Sequence, residues 1–250
     1  MSEFALYREP IVLDSILHRE LKIKRFVDPT VASGLRACYL AAGEFTQAAR
    51  EFVIVFLRTA VEGRPQVQPI VLLGVIPGEN LFVHTTNGPP WDARYVPAYI
   101  RRYPFWTTRL EGQPDPAVMV DLWWQGLSPT EGEPLYEPDG QPAPRLLEAI
   151  DFLLQFDDEV ARTEAFCNRL DELGLLDDMS ADLTLPDGSK LVLNGFLTVD
   201  EARLKALPDA QVVELHRSGA LGLLNAHLSS LDNLHALLER KARRMGSAAR

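Results

Sequence analysis

The chain has 250 residues, with 25 Lys and Arg against 35 Asp and Glu, a formal net charge of −10. A hydrophobic share of 46% and a charged share of 24% exclude a disordered, a collagen-like and a polytopic membrane chain. The acidic balance argues against general nucleic-acid binding, which needs a basic surface to displace phosphate counterions.

Residues 21–26 alternate apolar and basic side chains, as a half-buried strand does. A short helix is expected over 43–50. It leads into 52–57, a continuous β-branched and aromatic run, and 70–76 is a second such run; both suit buried central strands. Residues 81–83 follow a Pro77-Gly78 turn and read as strand. Pro97 suits the first turn of a helix that Pro104 ends. Residues 118–124 form a further strand, with Asp121 inside it.

The composition changes after residue 144: sixteen of the 18 prolines and all four tryptophans lie in residues 1–144. Residues 1–144 therefore read as a Pro/aromatic-rich, β-containing part. Residues 145–250 read as a mainly helical part with a hairpin near 183–199; the two could also form one continuous domain. A long amphipathic helix over 145–173 ends at Gly174, with Leu146, Ile150, Leu153, Leu154 and Val160 on its apolar face. Residues 183–185 and 191–193 flank Pro186-Asp187-Gly188-Ser189, a hairpin signal, and 196–199 read as a third strand. Asp200 caps the next helix and Pro208 breaks it. Helices over 210–217 and 220–240, separated by Gly219, close the chain. The expected fold class is α+β: a mixed or antiparallel sheet in the N-terminal part and a helical C-terminal part with one β-hairpin. Arg240, Lys241, Arg243, Arg244 and Arg250 read as a solvated helix end, where cations suit the dipole, with a contact patch for an acidic partner as the alternative.

Cys38 and Cys167 lie far apart with no CxxC, so the expectation is two buried free thiols in a reducing compartment. Residues 1–4 show no basic stretch leading into an apolar run, and 70–76 is too short to cross a bilayer. The expected location is cytoplasmic, with the cell surface reached by signal-independent export as the alternative.

The segment 79–106 stands out. Tyr95, Tyr99 and Tyr103 recur every four residues, so a helix would place them on one face. Arg101 and Arg102 sit beside them. Arginine stacks on aromatic rings and holds carboxylate or phosphate through two parallel hydrogen bonds. Trp91, Tyr95, Tyr99, Arg101, Arg102 and Tyr103 are thus the expected ligand-binding set, a recess for an anionic or peptide ligand. The plainer alternative is an aromatic helix packed on the sheet, its arginines paired with acids such as Asp92. HExxH, GxSxG, Walker A and GxGxxG are all missing, so neither a metal nor a cofactor is expected. His84, in a loop after a strand, and Asp121, a carboxylate on an apolar strand, are the catalytic candidates. Arg101 or Arg102 is the expected partner of Asp121. His227 and His235, eight apart on a helix, share a face on this reading and form a packed or surface pair.

Six stretches carry a family pattern: Glu44-Phe45 with the run 52–56; Gly78-Glu79-Asn80-Leu81-Phe82-Val83; Trp91-Asp92-Ala93-Arg94-Tyr95-Val96-Pro97-Ala98-Tyr99-Ile100-Arg101-Arg102-Tyr103-Pro104-Phe105; Glu131-Gly132-Glu133-Pro134-Leu135; Gly219-Ala220-Leu221; and Ala226-His227-Leu228-Ser229-Ser230-Leu231. In these the chain resembles the bacterial SapC family over nearly its whole length, with Val53 standing where that pattern has proline. The resemblance implies a link, through the family's name, to paracrystalline surface layers. It also implies proximity to flavin-dependent halogenase-like and cupin-type oxygenase proteins. It carries over no catalytic residues. A peptide permease sharing the name is a different protein, since it needs spanning helices that this sequence lacks. Three functions are open at this point. The first is a soluble, non-catalytic accessory or binding protein with a protein or peptide partner, working beside peptide- or small-molecule-modifying enzymes. The second is a surface-layer-associated structural protein. The third is a peptide-modifying enzyme with His84, Asp121 and the two arginines in one cleft.

Overall fold

The computed structural model describes residues 6–24, 28–61, 63–84, 89–113, 116–184 and 188–248. Its strands are β1 (Pro10–Val12), β2 (Lys22–Ile23), β3 (Ala37–Tyr39), β4 (Val53–Val61), β5 (Arg64–Leu72), β6 (Phe105–Thr108), β7 (Ala117–Asp121), β8 (Leu127–Ser128), β9 (Glu133–Pro134), β10 (Leu176–Thr184) and β11 (Lys190–Val199). Its helices are α1 (Phe45–Ala48), α2 (Ala98–Arg101), α3 (Pro144–Glu172), α4 (Glu201–Lys205), α5 (Asp209–Arg217), α6 (Ala220–Ser230) and α7 (Asn233–Ala248). Three sheets run in the orders β10-β11-β4-β5-β3, β1-β7-β6 and β8-β2-β9. All their pairings are antiparallel, so the class is α+β.

The central hairpin pairs β4 with β5 from Val53↔Leu72 to Val61↔Arg64. Val53, Ile54, Val55 and Phe56 are all buried, because both faces of β4 are covered. Several boundaries differ from the sequence reading. The second apolar run pairs as 64–72 and then leaves the sheet at Gly74, where a Cβ would collide with the Glu79 carbonyl. Residues 81–83 contribute only the bridge Val83↔Trp91. Of 21–26, Lys22 and Ile23 pair, while Arg25 and Phe26 lie outside the described residues. The strand carrying Asp121 stops at that residue. The helix expected over 43–50 is a 3-10 turn, Ala42–Glu44, followed by α1.

β10 and β11 replace the three short strands expected near 183–199. They pair from Leu176↔Val199 to Thr184↔Lys190, with a register shift between Met179 and Ala181. The extra residue falls on β11, where Gly195 takes φ 81 and lets the strand bend without ending. β11 then meets β4 at Leu197↔Phe56. Strands from either side of residue 144 therefore share one sheet, and one hydrophobic cluster runs from Leu6 to Leu237. The covering helix α3 buries Leu146, Leu153, Phe156, Phe166, Cys167 and Leu170, whereas Leu154 points outward at 45% exposed.

Where β11 and β4 touch so briefly, α6 completes the bonding. Val199 N–H donates to His227 Nε2 at 3.1 Å, so that nitrogen is unprotonated and Nδ1–H donates to Ile54 O at 3.0 Å. Ile54 N–H in turn donates to Ser230 Oγ at 3.0 Å. Burial pushes the His227 pKa down to about 4. His235 does not share its face: it is 84% exposed beside Glu239, beyond a break between α6 and α7.

Of the basic C-terminal cluster, Arg240, Lys241 and Arg244 are not solvated, Arg243 is exposed, and Arg250 lies outside the described residues. Lys241 Nζ lies 2.7 Å from Glu79 Oε2, with both side chains nearly buried. Arg240 pairs with Asp92 and lies 4.3 Å over the Phe82 ring. Arg244 donates to Asn80 O and Val83 O. These contacts dock α7 on the segment around residues 79–92. Cys38 and Cys167 are free and buried. Among the described residues no helix is long and apolar enough to cross a membrane.

Candidate functional site

The expected helix between Pro97 and Pro104 is the single turn α2, so the three tyrosines diverge. Tyr95 precedes α2 and donates its hydroxyl to Glu44 Oε1 at 2.6 Å. Tyr99 lies against the Arg102 guanidinium, 4.4 Å from its ring centroid. Tyr103 donates to Asp121 Oδ2 at 3.0 Å. Burial, with the neighbouring carboxylates, raises the Tyr95 and Tyr103 hydroxyls well above the usual phenol range. Both therefore stay protonated donors.

Two buried carboxylates hold the ends of this segment. Glu44 accepts from Tyr95, from Ala98 N at 2.7 Å and from Ala41 N at 2.9 Å. Asp121 accepts from Arg8 N, Glu9 N, Trp123 N and Tyr103 Oη. Hydrogen bonds to an ionised acceptor are the stronger class, about 1.5–3 kcal/mol each. These two acids are thus occupied by backbone N–H groups and tyrosines. Asp121 is not partnered by Arg101 or Arg102, and Asp92 belongs to Arg240 and His84.

Between this segment and α3 lies a recess of about 140 Å³. Arg101, Arg102 and Arg145 line it, with Phe105, Trp124 and Phe152 among its walls. Arg101 donates Nε to Val96 O at 3.0 Å and an amine to Tyr95 Oη at 3.3 Å, and packs 5.1 Å from the Phe152 ring centroid. Arg102 lies near Tyr99, Phe156 and Tyr7, at 4.4, 4.9 and 5.7 Å from their ring centroids. Its Nε is closed off from solvent and has no hydrogen-bond partner among the described residues. Arg145 sits in the first turn of α3 and pairs with the exposed Glu148. Among the described residues neither Arg101 nor Arg102 forms an ion pair.

Of the six expected ligand-binding residues, Arg101, Arg102 and Tyr103 line the recess. Tyr95 and Tyr99 stand behind it, holding the arginines. Trp91 is elsewhere: its indole donates to Tyr95 O at 2.8 Å and its ring packs on Phe52 and Phe82. The two catalytic candidates do not join it. His84 Nε2 is 3.5 Å from Asp92 Oδ2. Partial burial works in the opposite direction, but the hydrogen bond and charge of Arg240, with His84, hold the Asp92 carboxyl below the usual carboxylate range. Asp121 is fully buried behind Tyr103. The cleft expected to combine His84, Asp121 and both arginines is therefore not formed. Among the described residues, no group of three His, Cys, Asp or Glu side chains is placed to hold a metal.

Sequence reasoning passed over Glu44, Phe152 and Arg145. A signal existed for the last, because a cation in the first turn of a helix opposes the macrodipole and so calls for another role.

No curated protein and no solved structure matches the chain. The SapC family model matches residues 13–237, which takes in the recess and the Glu44 and Asp121 anchors. The chain belongs to the SapC family.

Proposed function

We propose that the chain is a soluble, cytoplasmic accessory or binding protein that captures an anion-bearing protein, peptide or small-molecule partner in the arginine recess. One observation carries the reading. In a chain of net charge −10, three guanidinium groups meet at one apolar-walled recess, while the buried carboxylates of Glu44 and Asp121 are bound to other donors. Arg102 is half-buried and forms no ion pair among the described residues, and an anion seated beside it would offset the cost of withdrawing its charge from water. A role beside peptide- or small-molecule-modifying enzymes fits a protein that holds a substrate without transforming it. The separation of His84 from Asp121 favours binding over catalysis.

The test compares the tagged native protein with an Arg101→Ala, Arg102→Ala double variant whose fold is confirmed by circular dichroism. Each is used to capture peptides and metabolites from its own cells, identified by mass spectrometry. Loss of the wild-type ligands from the variant is expected. Equal capture by a folded variant refutes the reading.

A further inference from the structure

We infer that the group seated in the recess is a single carboxylate of a peptide, terminal or side-chain, flanked by an apolar or aromatic residue. This rests on the recess being the binding site proposed above, and it narrows the ligand by size, charge and wall chemistry.

Size comes first. Sites that enclose a whole small molecule hold roughly 300–1,000 Å³. At about 140 Å³ the recess takes one end or one side chain of a larger molecule. The rest of that molecule runs over the surface, where it adds the contacts that one small group cannot supply.

Charge comes second. The cationic donors come from two elements: Arg101 and Arg102 from the end of α2, and Arg145 from the first turn of α3. The positive end of the α3 dipole reinforces them. Arg101 has committed its Nε and one amine to Val96 and Tyr95, so only part of its donor fork is left for a ligand. Arg145 is shared with Glu148. The aromatic rings around Arg102 and its hydrogen bonds to the Tyr7 and Tyr99 hydroxyls fix the plane of its guanidinium, so a ligand meets only the part of its fork that those hydroxyls leave open. A fixed planar fork matches the two coplanar oxygens of a carboxylate.

Wall chemistry comes third. Phe105 and Phe152 offer no hydrogen-bond donor. A phosphoryl dianion would press its further oxygens against such walls, and an unsatisfied buried charge is strongly disfavoured. The long-range field of a −10 chain repels a dianion more than a monoanion. Both effects select a monoanion, and the aromatic walls select an apolar neighbour for it.

The experiment uses the full chain labelled with 15N-arginine. Three probes are titrated while the arginine side-chain resonances are followed: N-acetyl-Gly-Phe as the free acid, the same peptide as the amide, and N-acetyl-Glu-Phe-amide. Phenyl phosphate is the fourth. The free acid, the glutamyl peptide or both shift Arg101, Arg102 and Arg145, and which one does so identifies a terminal or a side-chain carboxylate. Each active probe binds at least about tenfold more tightly than the neutral Gly-Phe amide. Arg102→Lys, which keeps the charge and loses the planar fork, weakens that binding about tenfold. Equal binding of the neutral amide, or tighter binding of phenyl phosphate, overturns the inference. If no probe binds but cellular capture still depends on Arg101 and Arg102, the carboxylate assignment fails and the recess reading stands. If capture is indifferent to those arginines, the recess reading itself fails.

Discussion

Replacing Asp121 with Asn separates a structural carboxylate from a catalytic one. Asp121 is fully buried, and its two oxygens accept four hydrogen bonds. Oδ1 takes Glu9 N at 2.8 Å and Trp123 N at 3.2 Å; Oδ2 takes Arg8 N at 2.9 Å and Tyr103 Oη at 3.0 Å. Asn keeps one oxygen and points an NH₂ at the other pair of donors. Arg8 N loses its acceptor, the Tyr103 hydroxyl must turn to accept instead of donate, and the bonds that remain lose their charge assistance, so Asp121→Asn destabilises the fold by about 3–6 kcal/mol. That is a large share of the roughly 5–15 kcal/mol that a domain has in total. Tyr103→Phe removes one donor and leaves the carboxylate three, so its loss is smaller, about 1.5–3 kcal/mol. Urea unfolding of the three proteins, followed by circular dichroism and tryptophan fluorescence, measures both. A Asp121→Asn protein within about 1 kcal/mol of wild type refutes the clamp, because no redistribution of four donors on one oxygen is that mild.

Two further outcomes follow from other buried groups. The folded-state pKa of His227, about 4, lies below its ordinary 6.5, so the unfolded chain takes up the proton first as pH falls. The stability contribution is complete above pH 6.5 and drains away towards pH 4, by about 3 kcal/mol in all. Urea midpoints at pH 7 and pH 5 should therefore separate wild type from His227→Gln, with wild type losing about 2 kcal/mol more across that interval. Equal pH dependence in the two proteins contradicts a buried neutral imidazole. Lys241→Met strands Glu79, which also accepts from Val75 N and Ile76 N, inside the contact between α7 and the 79–92 segment. Removing one partner of such a pair costs about 3–5 kcal/mol. Lys241→Met combined with Glu79→Gln should recover part of that loss in thermal melts, and no recovery would mean the ion pair is not what holds α7 down.

The comparison of sequence with structure divides by the range of the interactions involved. Hydrophobic period and Pro/Gly punctuation located the α3 helix within a residue at each end, because a long amphipathic face and a glycine at φ 63 are local facts. The Asp200 cap was legible for the same reason: its side chain bonds Ala202 N and Arg203 N two and three residues on. The α+β class followed from strand-like runs preceding helical ones.

What the sequence could not decide was which distant group each polar side chain would meet. Neither i,i+4 spacing nor nearness along the chain said that Tyr95 belongs to Glu44 and Tyr103 to Asp121, which broke the expected tyrosine face apart. Nothing local said that Arg240 and Lys241 would fold back onto Asp92 and Glu79, about 150 positions earlier. Arg101 and Arg102 were visible as an unusual pair, but Arg145 and Phe152 reach the same recess only because the fold brings the start of α3 to the residues at the end of α2. Residue types and periodicity by themselves determined the fold class, the long α3 helix, the buried run of β4 and the suspicion of an anion-binding segment. The tertiary structure decided the partners, since charge pairing and burial depend on distances between elements that no local pattern encodes.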